Sequence, residues 1–364
     1  MGLIMKKNFI INASKLSASV LFCAALVFAG CNKIENPKGG EVRFSITTEG
    51  SPITKTAYGE DGTGTGFQYI NWINNDQIRI VSAQCTPTTS ADYTVSRTGH
   101  QGNFDYGTVS SGSPLFWGEG THTFYAVYPS PAVTGYCSIS GSQITGSIPT
   151  TQGYADIVGT DAKVVSPDMK NQYMYAKATG SKANESVQLT FYPLSTALEF
   201  TIKNGFESTS SMQISSISLS SAAYALGGSF TANIDNTGVN SRCQCTTTST
   251  DKTVTINFST PVTVAYGKTL NFTFFLNPGN GGADGINDIT FTISGTNLGT
   301  STAFTRSAKL ENRDSTPASA IAFPTHKKTR IKGLVIPEAV EWDIEGTIFV
   351  TPWANGESGN IALN

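Results

Sequence analysis

Charge is what this sequence has least of. Asp, Glu, Lys and Arg supply only 14% of its 364 residues, and the formal net charge is −2 at pH 7, whereas soluble domains usually carry about a quarter. The one cationic cluster, at 326–330, is short and sits beside an expected strand, so the basic patch that a nucleic-acid partner requires is missing. Histidine is equally scarce. His100, His122 and His326 stand in no H-E-x-x-H spacing, and there is no G-x-S-x-G elbow, which excludes the common zinc and serine hydrolase arrangements. The glycine-rich run 59–66 lacks the Lys-Ser/Thr of a phosphate loop and precedes a strand, so it reads as a hairpin loop. Helical periodicity is missing apart from a short stretch at 221–226.

Carboxylates do occur in groups, Asp284 with Asp288 and Glu338 with Glu341 and Asp343. In a glycosidase such a pair acts as general acid and base, and Asp284, Asn287 and Asp288 are oxygen ligands of the kind calcium takes. Their spacing matches no calcium loop, and solvated turns account for them. The expectation is a chain with no catalytic residues, no cofactor and no metal.

The N-terminus carries the first positive signal. Lys6, Lys7 and Lys15 flank or precede an apolar run at 16–28 that ends in Ala29 and Gly30, the layout of a secretory signal peptide. The run falls short of the roughly 20 residues that cross a bilayer. Cys31 follows at once, so the segment resembles a bacterial lipobox, with Phe28 where Leu is usual. That resemblance implies a signal peptide over 1–30 and a lipidated Cys31, palmitoylated and holding the chain on a membrane. Residues 32–40, with Pro37, Gly39 and Gly40, read as a tether.

Four cysteines remain beyond Cys31. Cys85 and Cys137 either pair, as an oxidising compartment permits, or stay as half-buried thiols. Cys243 and Cys245 flank a single glutamine and are too close for an ordinary bridge.

From residue 41 onward apolar residues alternate. Val42, Phe44 and Ile46 mark a half-buried strand, and similar runs recur at 78–81, 124–128, 187–191, 198–202, 214–219, 254–258, 270–276, 289–293 and 331–336, separated by Gly, Ser, Asn and Pro. Many short strands with frequent turns argue for an all-β protein built of β-sandwiches. The length left after a signal peptide, about 330 residues, exceeds one usual core, which gives domains at 41–183 and 184–364 with the boundary in the polar stretch 178–185.

The order of these segments resembles the fimbrillin family of Bacteroidales type V pilus subunits. It is carried by the lipobox, the first strand, the loop 53–59, W-x3-D-x-I-x-I at 72–80, VQLTFYPLSTALEFTIKN at 187–204 and MQISSISLSS at 212–221. Pro193 stands where the family often has His. The resemblance implies two tandem transthyretin-like β-sandwich domains in an adhesive fimbrium subunit exported to the cell outer membrane. It also implies a maturation protease that removes the first strand, with Val42, Phe44 and Ile46, by cutting between Lys55 and Thr56. Other pilus subunits would be partners by strand exchange, with a donor segment at 331–353 that includes Ile331, Ile348 and Val350. The alternative is a glycan-binding surface lipoprotein that stacks sugars on Trp72, Trp117, Trp342 or Trp353 without polymerising. For Trp72, core packing is the simpler expectation.

Overall fold

The computed structural model describes residues 39–48, 54–55, 70–101, 104–135, 137–238, 242–280, 285–312, 319–320, 323, 325–338, 346–351 and 360–363. The chain is nearly all β. Its one described α-helix is a single turn, Pro131–Thr134, started by the Ser130 hydroxyl, which accepts from the Ala132 N–H. The helical stretch expected at 221–226 is instead the end of the strand Met212–Ser221, where the Ser221 hydroxyl accepts from the Ala223 and Tyr224 amides. A short polar side chain that binds its own following backbone favours such a turn over a helix.

Seven strands close on themselves as a barrel in the order Phe44–Thr48, Val187–Pro193, Met174–Gly180, His122–Tyr128, Gln77–Val81, Ser90–Gln101 and Phe104–Ser110. Alternation sorts their side chains. Val42, Phe44, Ile46, Ile78, Ile80, Phe124, Ala126, Leu189 and Phe191 all point into one core.

The second unit is a pair of packed sheets. One has seven strands in the order Tyr154–Val158, Ala162–Pro167, Thr269–Leu276, Thr196–Gly205, Lys328–Pro337, Gly346–Thr351 and Asn360–Leu363. The other has four, Thr253–Val264, Met212–Ser221, Ile289–Asn297 and Thr302–Lys309. Their inner faces share one core. Phe200 and Phe272 of the first sheet stack at 5.3 Å, and Phe200 meets Phe291 of the second at 5.4 Å.

A third sheet, Cys243–Thr247, Gly228–Thr237, Gln143–Ile148 and Cys137–Ser140, lies on the outside of the barrel. It packs Phe230 and Ile144 against Val127, Tyr173 and Tyr175, with Tyr173 and Phe230 edge to face at 5.4 Å. Strands such as His122–Tyr128 are therefore covered on both faces, which is why their apolar residues run together instead of alternating.

The division at residues 183 and 184 does not match this topology. Val187–Pro193 belongs to the barrel, because it lies parallel to Phe44–Thr48 and antiparallel to Met174–Gly180. Tyr154–Val158 and Ala162–Pro167, earlier in sequence, join the second unit through Thr269–Leu276. The chain crosses between units more than once. Alternation reveals that a strand is half-buried but not which sheet it enters.

Candidate functional site

The first strand is held on both edges. Phe44 to Thr48 pairs in parallel with Val187 to Phe191, and Ser45 to Thr47 pairs antiparallel with Tyr106 to Thr108. Upstream, the Val42 N–H donates to the Leu115 carbonyl at 2.9 Å and the Trp117 N–H to the Gly40 carbonyl at 3.0 Å. Phe44 sits edge-on between Tyr93 (5.3 Å) and Phe124 (5.0 Å). Ile46 is fully buried. Its room comes from Gly107 on the neighbouring strand, where an added Cβ would stand 3.2 Å from Ile46 Cγ1. Without this strand the barrel would present two unpaired edges and a slot lined by those rings.

Lys55 lies beyond it in the two-residue strand Thr54–Lys55, which pairs in parallel with Ile70–Asn71. Two paired residues give far less protection than the five of the first strand. Arg43, a second basic residue beside the first strand and the competing candidate for cleavage, lies where an expected strand protects it, and its carbonyl is bound by the Val187 N–H at 2.9 Å. Thr56 and Cys31 lie outside the described residues.

The donor residues separate into two places. Ile331 is fully buried in Lys328–Pro337, which runs parallel to Thr196–Gly205 on one side and antiparallel to Gly346–Thr351 on the other. It therefore completes its own chain's sheet. Ile348 and Val350 lie in Gly346–Thr351, opposite Ile331 and Thr329, and Asn360–Leu363 pairs outside that strand at the end of the sheet.

Other candidates resolve into structure. Trp72 and Trp117 are core residues: Trp72 is edge-on to Tyr128 and Phe191, and Trp117 to Phe124 and His122. Trp342 and Trp353 lie outside the described residues. His122 fixes a turn, with one ring nitrogen accepting from the Gly118 N–H and the other facing the Gly120 carbonyl. Asp288 pairs with Lys309 at 2.8 Å, and Glu338 accepts from the Ser208 N–H and the Asn297 amide. Asp284, Glu341 and Asp343 lie outside the described residues. Cys85 and Cys137 do not meet: Cys85 packs in the barrel core and Cys137 under the third sheet, and both are free thiols. Burial raises the Cys85 thiol, and pushes that of Cys137 up to about 12.

Among the described residues no group of three His, Cys, Asp or Glu side chains is placed to hold a metal ion, and no helix is long and apolar enough to cross a membrane. The geometry places the first strand between two barrel strands and the C-terminal strands Gly346–Thr351 and Asn360–Leu363 outermost in the seven-stranded sheet. A family model described as fimbrillin-like matches residues 60–358. The chain belongs to the fimbrillin-like family. Solved structures with similar folds include a candidate cell adhesion protein from Bacteroides uniformis, 18% identical, covering 86% of this chain and 99% of its own, with a TM-score of 0.48. A second, from Bacteroides ovatus, is 13% identical with a TM-score of 0.48 and covers 88% of this chain and 99% of its own. A fimbrial assembly protein from Parabacteroides distasonis is 12% identical with a TM-score of 0.34, covering 85% of this chain and 96% of its own. No curated protein matches.

Sequence reasoning singled out the close pair Cys243 and Cys245 but missed the third sheet, and with it the shared face on which they stand. The signal was present in the Cys-Gln-Cys spacing, since residues two apart on a strand share a face.

Proposed function

We propose that this chain is an adhesive pilus subunit, displayed on the cell surface and polymerised into a fimbrium by strand exchange. Its role is structural rather than catalytic. The precursor is exported as a lipoprotein anchored in the outer membrane through Cys31. A protease then cuts between Lys55 and Thr56 and frees the first strand.

The observation that carries this reading is the placement of Phe44–Thr48. An N-terminal strand inserted between two others, with Val42, Phe44 and Ile46 all buried, is followed within a few residues by a lysine in a minimally paired segment. Family membership gives that arrangement its context. Removal leaves backbone groups that any matching strand can satisfy, the mode of donor-strand complementation. The donor is the outer pair Gly346–Thr351 and Asn360–Leu363, with Ile348 and Val350, because together they end the seven-stranded sheet and can leave it without breaking a ladder between other strands. Lys328–Pro337, with Ile331, stays behind as the new edge.

For the glycan-binding alternative Trp72 and Trp117 are buried and offer no sugar platform, which leaves it Trp342 and Trp353, outside the described residues. One experiment separates the two. The purified chain lacking its signal peptide is digested briefly with trypsin, the stable product is sequenced from its N-terminus, and polymers are resolved by electrophoresis without boiling. The expected product begins at Thr56 and forms a ladder, and a chain ending before residue 346 is cut identically but stays monomeric. A monomeric wild-type product, or a truncated one that still polymerises, overturns the proposal.

A further inference from the structure

Cys243–Thr247 is the edge strand of the third sheet. Cys243 and Cys245 project from the same face, and their sulfurs lie 3.8 Å apart. The backbone that carries them is pinned, because the Cys243 N–H donates to the Tyr175 hydroxyl at 2.9 Å and Cys245 sits opposite Ala232 in the ladder. Cys243 is buried and Cys245 half-buried. A cavity of about 290 Å³, lined by Cys245, Gln244, Asn280 and His326 among others, opens beside them.

Two outcomes are open to such a pair in chemistry, a disulfide or a shared ion. In an extended strand residues two apart have Cα atoms roughly 6.6 Å apart, close to the limit of about 6.8 Å for a disulfide, whose sulfurs must close to about 2 Å. The Tyr175 bond and the ladder hold the strand extended against that closure. A linear ion between thiolates at bond lengths of about 2.3 Å needs sulfurs roughly 4.6 Å apart, a spread of under an ångström from what is found. We propose that Cys243 and Cys245 form a two-coordinate site for a soft monovalent metal ion of the copper(I) class, reached through the cavity beside Cys245.

Coordination number makes the choice of ion. Zinc in a structural site takes four ligands, and no third thiol, imidazole or carboxylate among the described residues completes such a set. Two thiolates alone suit a soft ion that accepts linear geometry. The hydrogen bond to Cys243 and burial together push the Cys245 thiol well up, so only an ion with high sulfur affinity displaces its proton. Binding breaks two S–H bonds, forms two sulfur–metal bonds and releases two protons to solvent, with no change of oxidation state.

The test is an anaerobic titration of the full chain with copper(I), supplied as its acetonitrile complex against the colorimetric chelator bicinchoninate. One ion per chain is expected, with Cys243→Ser and Cys245→Ser each losing it and Cys85→Ser keeping it. A second measurement on wild type needs no variant to fold: bound copper should protect residues 243 and 245 from iodoacetamide, and X-ray absorption should count two sulfur neighbours. Retention of copper by the double Ser variant, zinc binding at the same pair, or a 243–245 disulfide that persists in copper(I) overturns the proposal.

Discussion

Replacing Glu199 by glutamine should destabilise the second unit more than any other single polar change. Glu199 lies on Thr196–Gly205, and two cations from Lys328–Pro337 converge on it. Arg330 Nε is 2.7 Å from Oε1, Lys328 Nζ contacts Oε2, and the three side chains are 10%, 7% and 6% exposed. Burial raises the Glu199 carboxyl, but the charges of Lys328 and Arg330 outweigh it and hold it below the usual carboxylate range. At Lys328 burial, with repulsion from Arg330, outweighs the attraction of Glu199 and lowers the ammonium to about 8.

Breaking a buried ion pair from one side costs about 3–5 kcal/mol, because the remaining charge keeps its desolvation penalty. Glu199→Gln takes the carboxylate away from both cations, and the loss is a large part of the roughly 5–15 kcal/mol that holds a domain together. Lys328→Met, which leaves the Arg330–Glu199 pair in place, should change stability by less than about 1.5 kcal/mol. Urea denaturation followed by circular dichroism reads both as shifts in midpoint at constant slope. The contributions of Glu199 and Lys328 to the pH dependence share one sign. Glu199, with its folded value depressed, contributes stability that is present above the unfolded carboxylate range and lost as pH falls through its folded value. Lys328 binds its proton more weakly folded than unfolded, so between about 8 and 10.5 the unfolded chain holds more protons and stability rises with pH. Lys328→Met should remove this rising contribution and leave the opposite slope of the buried thiols Cys85, Cys137 and Cys245, whose values are raised. A Glu199→Gln protein within about 0.5 kcal/mol of wild type refutes the reasoning.

Three further outcomes are expected. Gly107→Val brings a branched side chain against Ile46 and the Ser96 carbonyl and should cost about 1–3 kcal/mol by overpacking, read as increased trypsin sensitivity of the first strand. Asn204→Ala removes two donations, to the Ser210 and Val264 carbonyls, and one acceptance, from the Phe206 N–H, and should destabilise by roughly 2–4 kcal/mol in thermal melts. Cys31→Ala should abolish labelling by a palmitate analogue and release the chain from the membrane fraction, and a labelled or membrane-bound variant removes the anchor assignment.

The strands that were legible in sequence are those with clean alternation. Val187, Leu189 and Phe191, or Ile289, Phe291 and Ile293, announce a half-buried strand because every second residue is apolar and every other is Thr, Gln or Tyr. The illegible ones, Ser90–Gln101, Cys137–Ser140 and Ala162–Pro167 among them, carry few large apolar groups. Ser, Thr and Gly fit a strand edge, a turn or a loop equally well, and their strands form because the ladder beside them is already in place. The same limit hid the topology. Nothing local to Ala162–Pro167 records that, besides its neighbour Tyr154–Val158, it pairs with the distant strand Thr269–Leu276. The first strand was readable as a strand from Val42, Phe44 and Ile46, but its placement between Val187–Pro193 and Phe104–Ser110 was not.

That placement bears directly on whether a subunit survives the loss proposed for it. Burying Val42, Phe44 and Ile46 is worth roughly 5–9 kcal/mol at about 1.5–3 kcal/mol per large side chain, comparable with the whole stability of a domain. A barrel cut after Lys55 would therefore stand near the edge of unfolding on its own. The core of the second unit contains none of these three residues, and the third sheet contacts the barrel's outer face through Tyr173, Tyr175 and Val127, away from the vacated slot. Two supports thus remain outside the barrel while its own core is open. Such a subunit is folded enough to be recognised and unstable enough to gain from an incoming strand, and the free energy that returns when a donor fills the slot is of the same order as what the cut removes. Strand exchange under that balance runs towards polymer, and substitution of Phe44, which leaves with the cut, should weaken the precursor without weakening the assembled fibre.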